Sequence, residues 1–248
     1  MVKEKGQILL GHIAIIMDGN RREGTVRCGD TSQGHIMGAD AVEEAIKTCI
    51  GEGVSFLTLY AFSTENWTRS DEEVKLLMNL FRRFFSDKVS DLLRQGVRVK
   101  FIGRRDRLDA DIVCMMQLLE LNSSHNNELT VVIALDYGGR DEIVRAVSRL
   151  IWKVLTLRVN PFKIDEHTFS TCMDTSGIPD PDLVIRTGGE RRLSGFLLWS
   201  LAYAELYFTE ENWPSFNSTS LKNAIAWFQS RNRRFGGDVA TERQVAAE

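Results

Sequence analysis

Three short polar segments hold the residue types that could do chemistry in this chain. The first is Asp18-Gly19-Asn20 with Arg21 and Arg22, the second Ser63-Thr-Glu-Asn66-Trp67-Thr-Arg69, and the third Arg186-Thr-Gly-Gly-Glu-Arg-Arg192-Leu-Ser194. A carboxylate is a hard oxygen ligand for a metal cation. Guanidinium forks match phosphate oxygens in pairs. Together these types suit an anionic, phosphate-bearing ligand. Each segment also has a plainer reading. Asp, Gly and Asn are ordinary turn formers, and an arginine loop can simply be solvated. The third segment is not a P-loop, because the GxxxxGK[ST] order is missing.

What raises the three above turn chemistry is where they fall. Each follows a short apolar run of the kind a strand buried on both faces shows: residues 13–17, residues 56–62 and Leu183-Val-Ile-Arg186. In open α/β sheets, ligands bind at the carboxyl ends of the strands. Three polar termini on one rim would gather phosphate and metal ligands.

The other elements alternate with these strands. Residues 24–34 lack apolar periodicity and read as a mobile loop. Val42, Ile46, Cys49 and Ile50 form one helical face that Gly51 and Gly53 stop. A long helix over residues 71–95 carries Val74, Leu77, Met78, Phe81, Phe85, Val89 and Leu92. Core packing explains that stripe, but Leu76, Leu80 and Phe84 beside it leave one more apolar face, which could line a greasy cavity. Val97–Ile102 reads as a strand, residues 108–121 as a helix and residues 129–135 as a strand ending at Asp136-Tyr-Gly-Gly139. A helix with Ile143, Val147, Leu150 and Ile151 follows, then a short helical stretch near residues 167–173. Pro179 and Pro181 force an extended approach to the strand at Leu183. The pattern predicts a single α/β domain with a central, mainly parallel sheet flanked by helices. Its expected core is residues 12–237, with flexible tails over 1–11 and 238–248.

Composition narrows the function. The 248 residues are 43% hydrophobic and 26% charged, and the formal charge is -3, as in an ordinary globular protein. That balance gives no global field for nucleic acid, so an anion must be held by local arginines. No run approaches the ~20 apolar residues of a membrane span, and no signal peptide is evident, so a cytoplasmic location is expected. Cys28, Cys49, Cys114 and Cys172 are scattered and read as free thiols, with neither a zinc site nor a disulfide framework indicated.

Five motifs in order resemble the cis-prenyltransferases, the undecaprenyl diphosphate synthase family. They are Met17-Asp-Gly-Asn20; Leu59-Tyr-Ala-Phe-Ser-Thr-Glu-Asn-Trp67; Asp136-Tyr-Gly-Gly-Arg140; Asp180-Pro-Asp-Leu-Val-Ile-Arg-Thr-Gly-Gly-Glu190; and Phe196-Leu-Leu-Trp199 through Ala204-Glu-Leu-Tyr-Phe208. The resemblance implies magnesium-dependent condensation of isopentenyl diphosphate with an allylic prenyl diphosphate, geranyl or farnesyl. It also implies a homodimer and an apolar tunnel between helices and sheet, with Ala61 and Leu129 at positions that help set tunnel depth.

By the same resemblance, Asp18, Asn66 and His35 are the catalytic candidates, with Asp18 holding magnesium and Glu205 helping to position it. Gly19, Asn20, Arg22 and His35, with Arg21 beside them, would hold the allylic diphosphate at a helix start. Arg186, Arg192 and Ser194 would hold isopentenyl diphosphate. Ser63, Asn66, Trp67, Arg69 and Glu73 match a segment that orders over the substrates, and Arg234-Phe-Gly236 a tail that reaches the partner subunit's site. Contact with a membrane surface stays open, without an anchor in the sequence.

The departures from the family pattern cluster in the opening loop. Glu23 replaces a usual aromatic, Thr31 a common arginine, Asp30 adds negative charge, and Gly195 replaces a usual Asn. Loss of one partner from a buried charge pair costs about 2–5 kcal/mol, so allylic affinity is expected to suffer more than isopentenyl affinity. Three readings follow: an ordinary cis-prenyltransferase, a diverged enzyme giving irregular, cyclised or hydrolysed terpenes, and a non-catalytic prenyl-diphosphate-binding subunit.

Overall fold

The first apolar run is strand β1 (His12–Ile16), buried at all five positions. That burial follows from its place inside the sheet, where it pairs in parallel with β2 (Phe56–Ser63) and β5 (Leu183–Arg186). The computed structural model describes residues 10–231. Adding β3 (Val97–Ile102), β4 (Leu129–Tyr137) and β6 (Glu205–Phe208) gives one six-stranded sheet of order β3-β4-β2-β1-β5-β6. Every pairing in it is parallel. All strands therefore end on one rim, and the chain direction across the sheet reverses between β1 and β5. That reversal is the crevice where doubly wound sheets take ligands. It sets Asp18 beside Arg186.

The helices are α1 (Asn20–Cys28), α2 (Thr31–Gly51), α3 (Asp71–Arg94), α4 (Ala110–Asn122), α5 (Gly139–Leu155), α6 (Glu166–Ser170) and α7 (Ser218–Gln229). One face of the sheet carries the main core, with Ile13, Ile15, Leu57, Leu59, Val131 and Ile133 packed against α2, α3, α4 and α7. The other face packs Ala14, Ile16, Val132, Ala134 and Val184 on Phe196, Leu197 and Leu201.

Several expectations are corrected here. Residues 24–34 are not a loop: they hold the end of α1, a turn at Gly29, and the start of α2. The sequence signal was missing because α1 is mostly polar and its Val26 faces water. Close packing holds it, since a Cβ on Gly24 would come within 2.6 Å of the Gly34 backbone nitrogen. Asp30, read as an added negative charge, caps α2 by accepting from the Ser32 N–H at 2.8 Å.

Strand β6 and helix α7 went unread. The strand is four residues with no alternation, but α7 had a legible pattern: the Asn217 cap and buried Leu221, Ala224, Ile225 and Phe228. Leu10, assigned to a flexible tail, is buried in the main core, and the Gly11 N–H donates to Asp182. On α5, Ile143 and Leu150 pack inward with Ala146, whereas Val147 and Ile151 face out. Among the described residues, no helix is long and apolar enough to cross a membrane.

Candidate active site

A cavity of about 810 Å³ opens at the β1/β5 crevice and runs between the sheet and helices α2 and α3. Its mouth is polar, with Asp18, Asn20, His35, Ser63, Asn66, Arg69, Arg186 and Ser194. Its depth is apolar, walled by Val42 of α2, Leu59, Ala61 and Ile133 of the sheet, and Leu77, Leu80, Phe81, Phe84 and Phe85 of α3. The extra apolar face of α3 is thus a cavity wall at Leu80 and Phe84. Leu129 lies elsewhere, fully buried in the core at the start of β4.

Two backbone features build the mouth. Gly19 sits at φ 97, just before α1, with Asn212 packed where a Cβ would stand. It turns the chain from strand to helix at once, so Asn20, Arg21 and Arg22 lie in the first turn, where unpaired N–H groups favour an anion. The backbone of Asp18 is locked by Thr187, whose Oγ1 accepts from the Asp18 N–H at 2.9 Å, and by the Trp213 N–H, which donates to the Asp18 carbonyl at 2.9 Å.

The Asp18 carboxylate accepts from Arg186 Nη2 at 2.8 Å and from the Gly19 N–H at 2.7 Å, with Arg22 Nη2 at 3.5 Å. Arg186 is 4% exposed. Its Nη1 donates to Ser194 Oγ at 2.9 Å and to the Arg192 carbonyl. The Arg192 side chain is well exposed and pairs with Glu190.

Opposite, Arg69 pairs with Glu73 at 2.8 Å, and Arg21 and His35 approach the same carboxylate at 3.7 and 3.8 Å. Burial, with the Arg69 guanidinium next in effect, holds the His35 imidazole below its usual range, so it is neutral at pH 7. Ser63 and Asn66 form a capping box in which Asn66 Oδ1 accepts from the Ser63 N–H at 3.0 Å. Trp67 turns away from the cavity and donates to Asp136 Oδ1 at 2.8 Å, anchoring this segment to the rim.

Among the described residues, three buried polar atoms have no partner: Asn20 Oδ1, His35 Nε2 and Arg186 Nε. Unmatched buried groups of this kind cost about 1–3 kcal/mol each. All three belong to residues that line the cavity mouth. The protein keeps a set of unmet hydrogen-bonding groups at one place, as a polar ligand site requires.

A family model, that of the undecaprenyl diphosphate synthase (Prenyltransf) family, matches residues 16–236. The chain belongs to that family. It is a prenyltransferase of isoprenoid biosynthesis. It is 48% identical over 225 residues to an isoprenyl transferase of Aquifex aeolicus (strain VF5), covering 91% of this chain and 95% of the relative. An isoprenyl transferase of Rhizobium meliloti (strain 1021) is 46% identical over 226 residues, at 91% and 92% coverage. Among solved structures, the lavandulyl diphosphate synthase of Lavandula x intermedia in complex with dimethylallyl diphosphate superposes with a TM-score of 0.88 at 35% identity, covering 91% of this chain and 98% of that one. A probable undecaprenyl diphosphate synthase from Campylobacter jejuni gives 0.78 at 34% identity, with 92% and 99% covered.

Besides Trp67, Glu205 does not join the candidate site within this chain. Glu205 starts β6 in register with Leu183, three residues before the Arg186–Phe208 pair at the rim. At about 3.3 Å per residue it lies roughly 10 Å back from that rim, where Arg231 approaches it at 3.5 Å. Parallel register puts strand starts and strand ends on opposite edges. Glu23 also turns away: it is buried, accepting from Ser215 Oγ at 2.5 Å, Asn212 Nδ2 at 2.8 Å and Arg27 Nε at 2.6 Å. The Ser215 and Asn212 bonds hold its carboxyl below the usual range, and its charge is met without reaching the cavity mouth. Thr31 is exposed in the first turn of α2. Arg234 and Gly236 lie outside the described residues.

Sequence reasoning missed three contributors. Tyr60 donates to the Tyr137 and Ser194 carbonyls at 3.1 and 3.3 Å. Thr187 and Trp213 fix Asp18 as described above. Thr187 stood inside a quoted motif, whereas Trp213 had no local signal.

For a divalent cation, Asp18 offers a hard oxygen donor at the mouth. No group of three or more His, Cys, Asp or Glu side chains that could hold a metal exists among the described residues. One carboxylate fits magnesium nonetheless, because that ion is commonly held by one or two carboxylates plus substrate phosphates and water.

Proposed function

We propose that this prenyltransferase condenses isopentenyl diphosphate with an allylic prenyl diphosphate, with magnesium, to a cis-prenyl diphosphate that grows into the cavity. The observation that carries this reading is the junction of unlike surfaces: unmet polar atoms and Asp18–Arg186 at the mouth, and aromatic walls directly behind them. Magnesium, held by Asp18 and the diphosphates, would neutralise negative charge on the leaving group.

This chain's own residues do the rest. Asn20, Arg21, Arg22 and neutral His35 bind the allylic diphosphate at the α1 terminus. Arg186, Ser194 and Arg192 bind the isopentenyl diphosphate, and Asn66, with Ser63 and Arg69, closes over both. The allylic C–O bond breaks with its electron pair leaving on diphosphate, the isopentenyl double bond forms the new C–C bond, and the released diphosphate takes a proton from the resulting cation to give the new alkene. Leu80, Phe81 and Phe84 shield the positive carbon from water.

A second copy of the chain would cover Val144, Val147, Ile151 and Leu155, large apolar side chains exposed along α5. Sedimentation equilibrium showing single copies under turnover conditions would refute that dimer.

Product mass spectrometry tests the reaction, using magnesium, isopentenyl diphosphate and dimethylallyl, geranyl or farnesyl diphosphate. Linear cis-prenyl diphosphates are expected. Thr31, which brings no positive charge to the opening of α2, favours a second reading in which the allylic group sits differently. Branched, cyclised or diphosphate-free products would establish that reading instead.

A further inference from the structure

The end of α5 presents apolar side chains to water in an unusual way. Leu157 has φ 56, a left-handed conformation, and is 93% exposed. It follows the helix C-cap Thr156 in a Schellman turn, with the Leu157 N–H donating to the Val154 carbonyl at 3.0 Å and the Arg158 N–H to the Lys153 carbonyl at 2.8 Å. Glycine is the usual residue at this position, because a Cβ strains it. A leucine here has neither backbone ease nor burial to explain it.

Five residues on, Phe162 is 95% exposed in a 3-10 turn, Pro161–Lys163, capped by Asn160 Oδ1 at 2.9 Å from the Phe162 N–H. Two ordered turns thus hold a leucine and a phenylalanine outward. Large apolar groups held in water mark a contact surface.

The surrounding charge says which kind. Residues 143–164 contain Arg145, Arg149, Lys153, Arg158 and Lys163 and no Asp or Glu, in a chain whose net charge is -3. Arg145 and Arg149 bind Asp174, and Lys153 binds Thr171. Arg158 and Lys163, which flank the two apolar tips, have no side-chain partner among the described residues. Asp165 and Glu166 come next, at the start of α6, where Asp165 Oδ1 accepts from the Thr168 N–H and hydrogen bonds from Thr168 hold its carboxyl below the usual range. Apolar tips that each have an unpaired basic side chain beside them match the boundary between anionic headgroups and acyl chains.

We propose that residues 156–164 form a docking surface for a lipid bilayer with anionic headgroups. Leu157 and Phe162 enter the acyl boundary, and Arg158 and Lys163 rest on the headgroups. The purpose of the contact rests on the proposed reaction, whose product is apolar, but the binding itself does not.

The test is co-sedimentation of the full chain with phosphatidylcholine vesicles, with and without 30% phosphatidylglycerol (a value chosen on the order of natural anionic fractions). The wild type is expected to partition onto the anionic vesicles. Leu157→Gly/Phe162→Ser and Arg158→Glu/Lys163→Glu are each expected to lower that partition at least about tenfold. Both keep turnover with a short allylic primer in solution, since these residues lie outside the cavity; turnover also reports separately whether the prenyltransferase reading holds. Wild-type protein that ignores anionic vesicles, or variants that bind them as well as wild type, would overturn the proposal. So would variants that dissociate an oligomer while still binding vesicles, since the surface would then belong to a second copy.

Discussion

Two cationic half-sites face each other across the cavity mouth, and they hold their charge in different ways. Arg186 is 4% exposed and fixed by Asp18, Ser194 and the Arg192 carbonyl, with only Nε unmet. The side chains of Arg21, Arg22 and Arg69 are 60%, 52% and 31% exposed, and two of them lean on one carboxylate, Glu73. Arg186 is pre-organised by burial, although Arg192 beside it is 61% exposed, whereas the second half is solvated and can exchange Glu73 for an incoming anion. Donors that need no rearrangement stabilise developing charge most. In the proposed reaction Arg186 therefore has a role that no exposed arginine can replace.

The largest expected effect comes from Arg186→Ala. It leaves the Asp18 carboxylate short of its buried partner and removes the fixed donor, so kcat/KM for isopentenyl diphosphate is expected to fall by about 2–5 kcal/mol of transition-state stabilisation, some 30- to 4,000-fold. Steady-state kinetics, with circular dichroism to show that the fold survives, checks this. Arg22→Ala sharpens the contrast. Half exposed, with Gly188 carbonyl and Asp18 as its contacts, it is expected to contribute about 1 kcal/mol, a rise of roughly fivefold in KM for the allylic substrate. Equal losses from the two variants would erase the distinction.

A smaller effect is expected at His35. Its proton affinity is lower in the folded chain than the ordinary 6.5. As the pH falls below 6.5 the unfolded chain protonates first, so stability tied to neutral His35 is full above that pH and declines down to the folded-state value. An imidazole titration followed by NMR is expected to show a midpoint below 6.5. Pyrophosphate, placing negative charge at the α1 terminus, is expected to raise it. A midpoint unmoved by pyrophosphate would place the anion elsewhere.

The same contrast explains what could be read from the sequence. The strands at Ile13, Leu57 and Leu183 were legible because burial on both faces leaves continuous apolar runs, and parallel pairing then brought their polar ends together. Asp18, Arg186, Ser194 and Asn66 meet at one mouth for that reason, and helix α2 brings His35 to it. Helix α1 was illegible because nothing in its polar sequence reports that Gly24 and Gly34 pack face to face. Glu23 reads as disturbing the allylic side because the sequence cannot show Asn212 and Ser215, 189 and 192 residues on, donating to its carboxylate. Glu205 lies back from this chain's own mouth, which likeness alone could not show, because a motif match carries no register. The cavity could be suspected from Leu80 and Phe84 on α3, but only the fold decided which extra apolar side chains face space and which face protein.

The central claim is that the chain grows from the Asp18–Arg186 mouth into the space lined by α3, where Phe84 and Phe85 stand edge to face at 6.2 Å. Mass spectrometry of the products of Phe84→Ala against wild type tests it most directly. Products longer by one or more isoprene units, at comparable turnover, are expected. Products of unchanged length, made at unchanged rate, would contradict it.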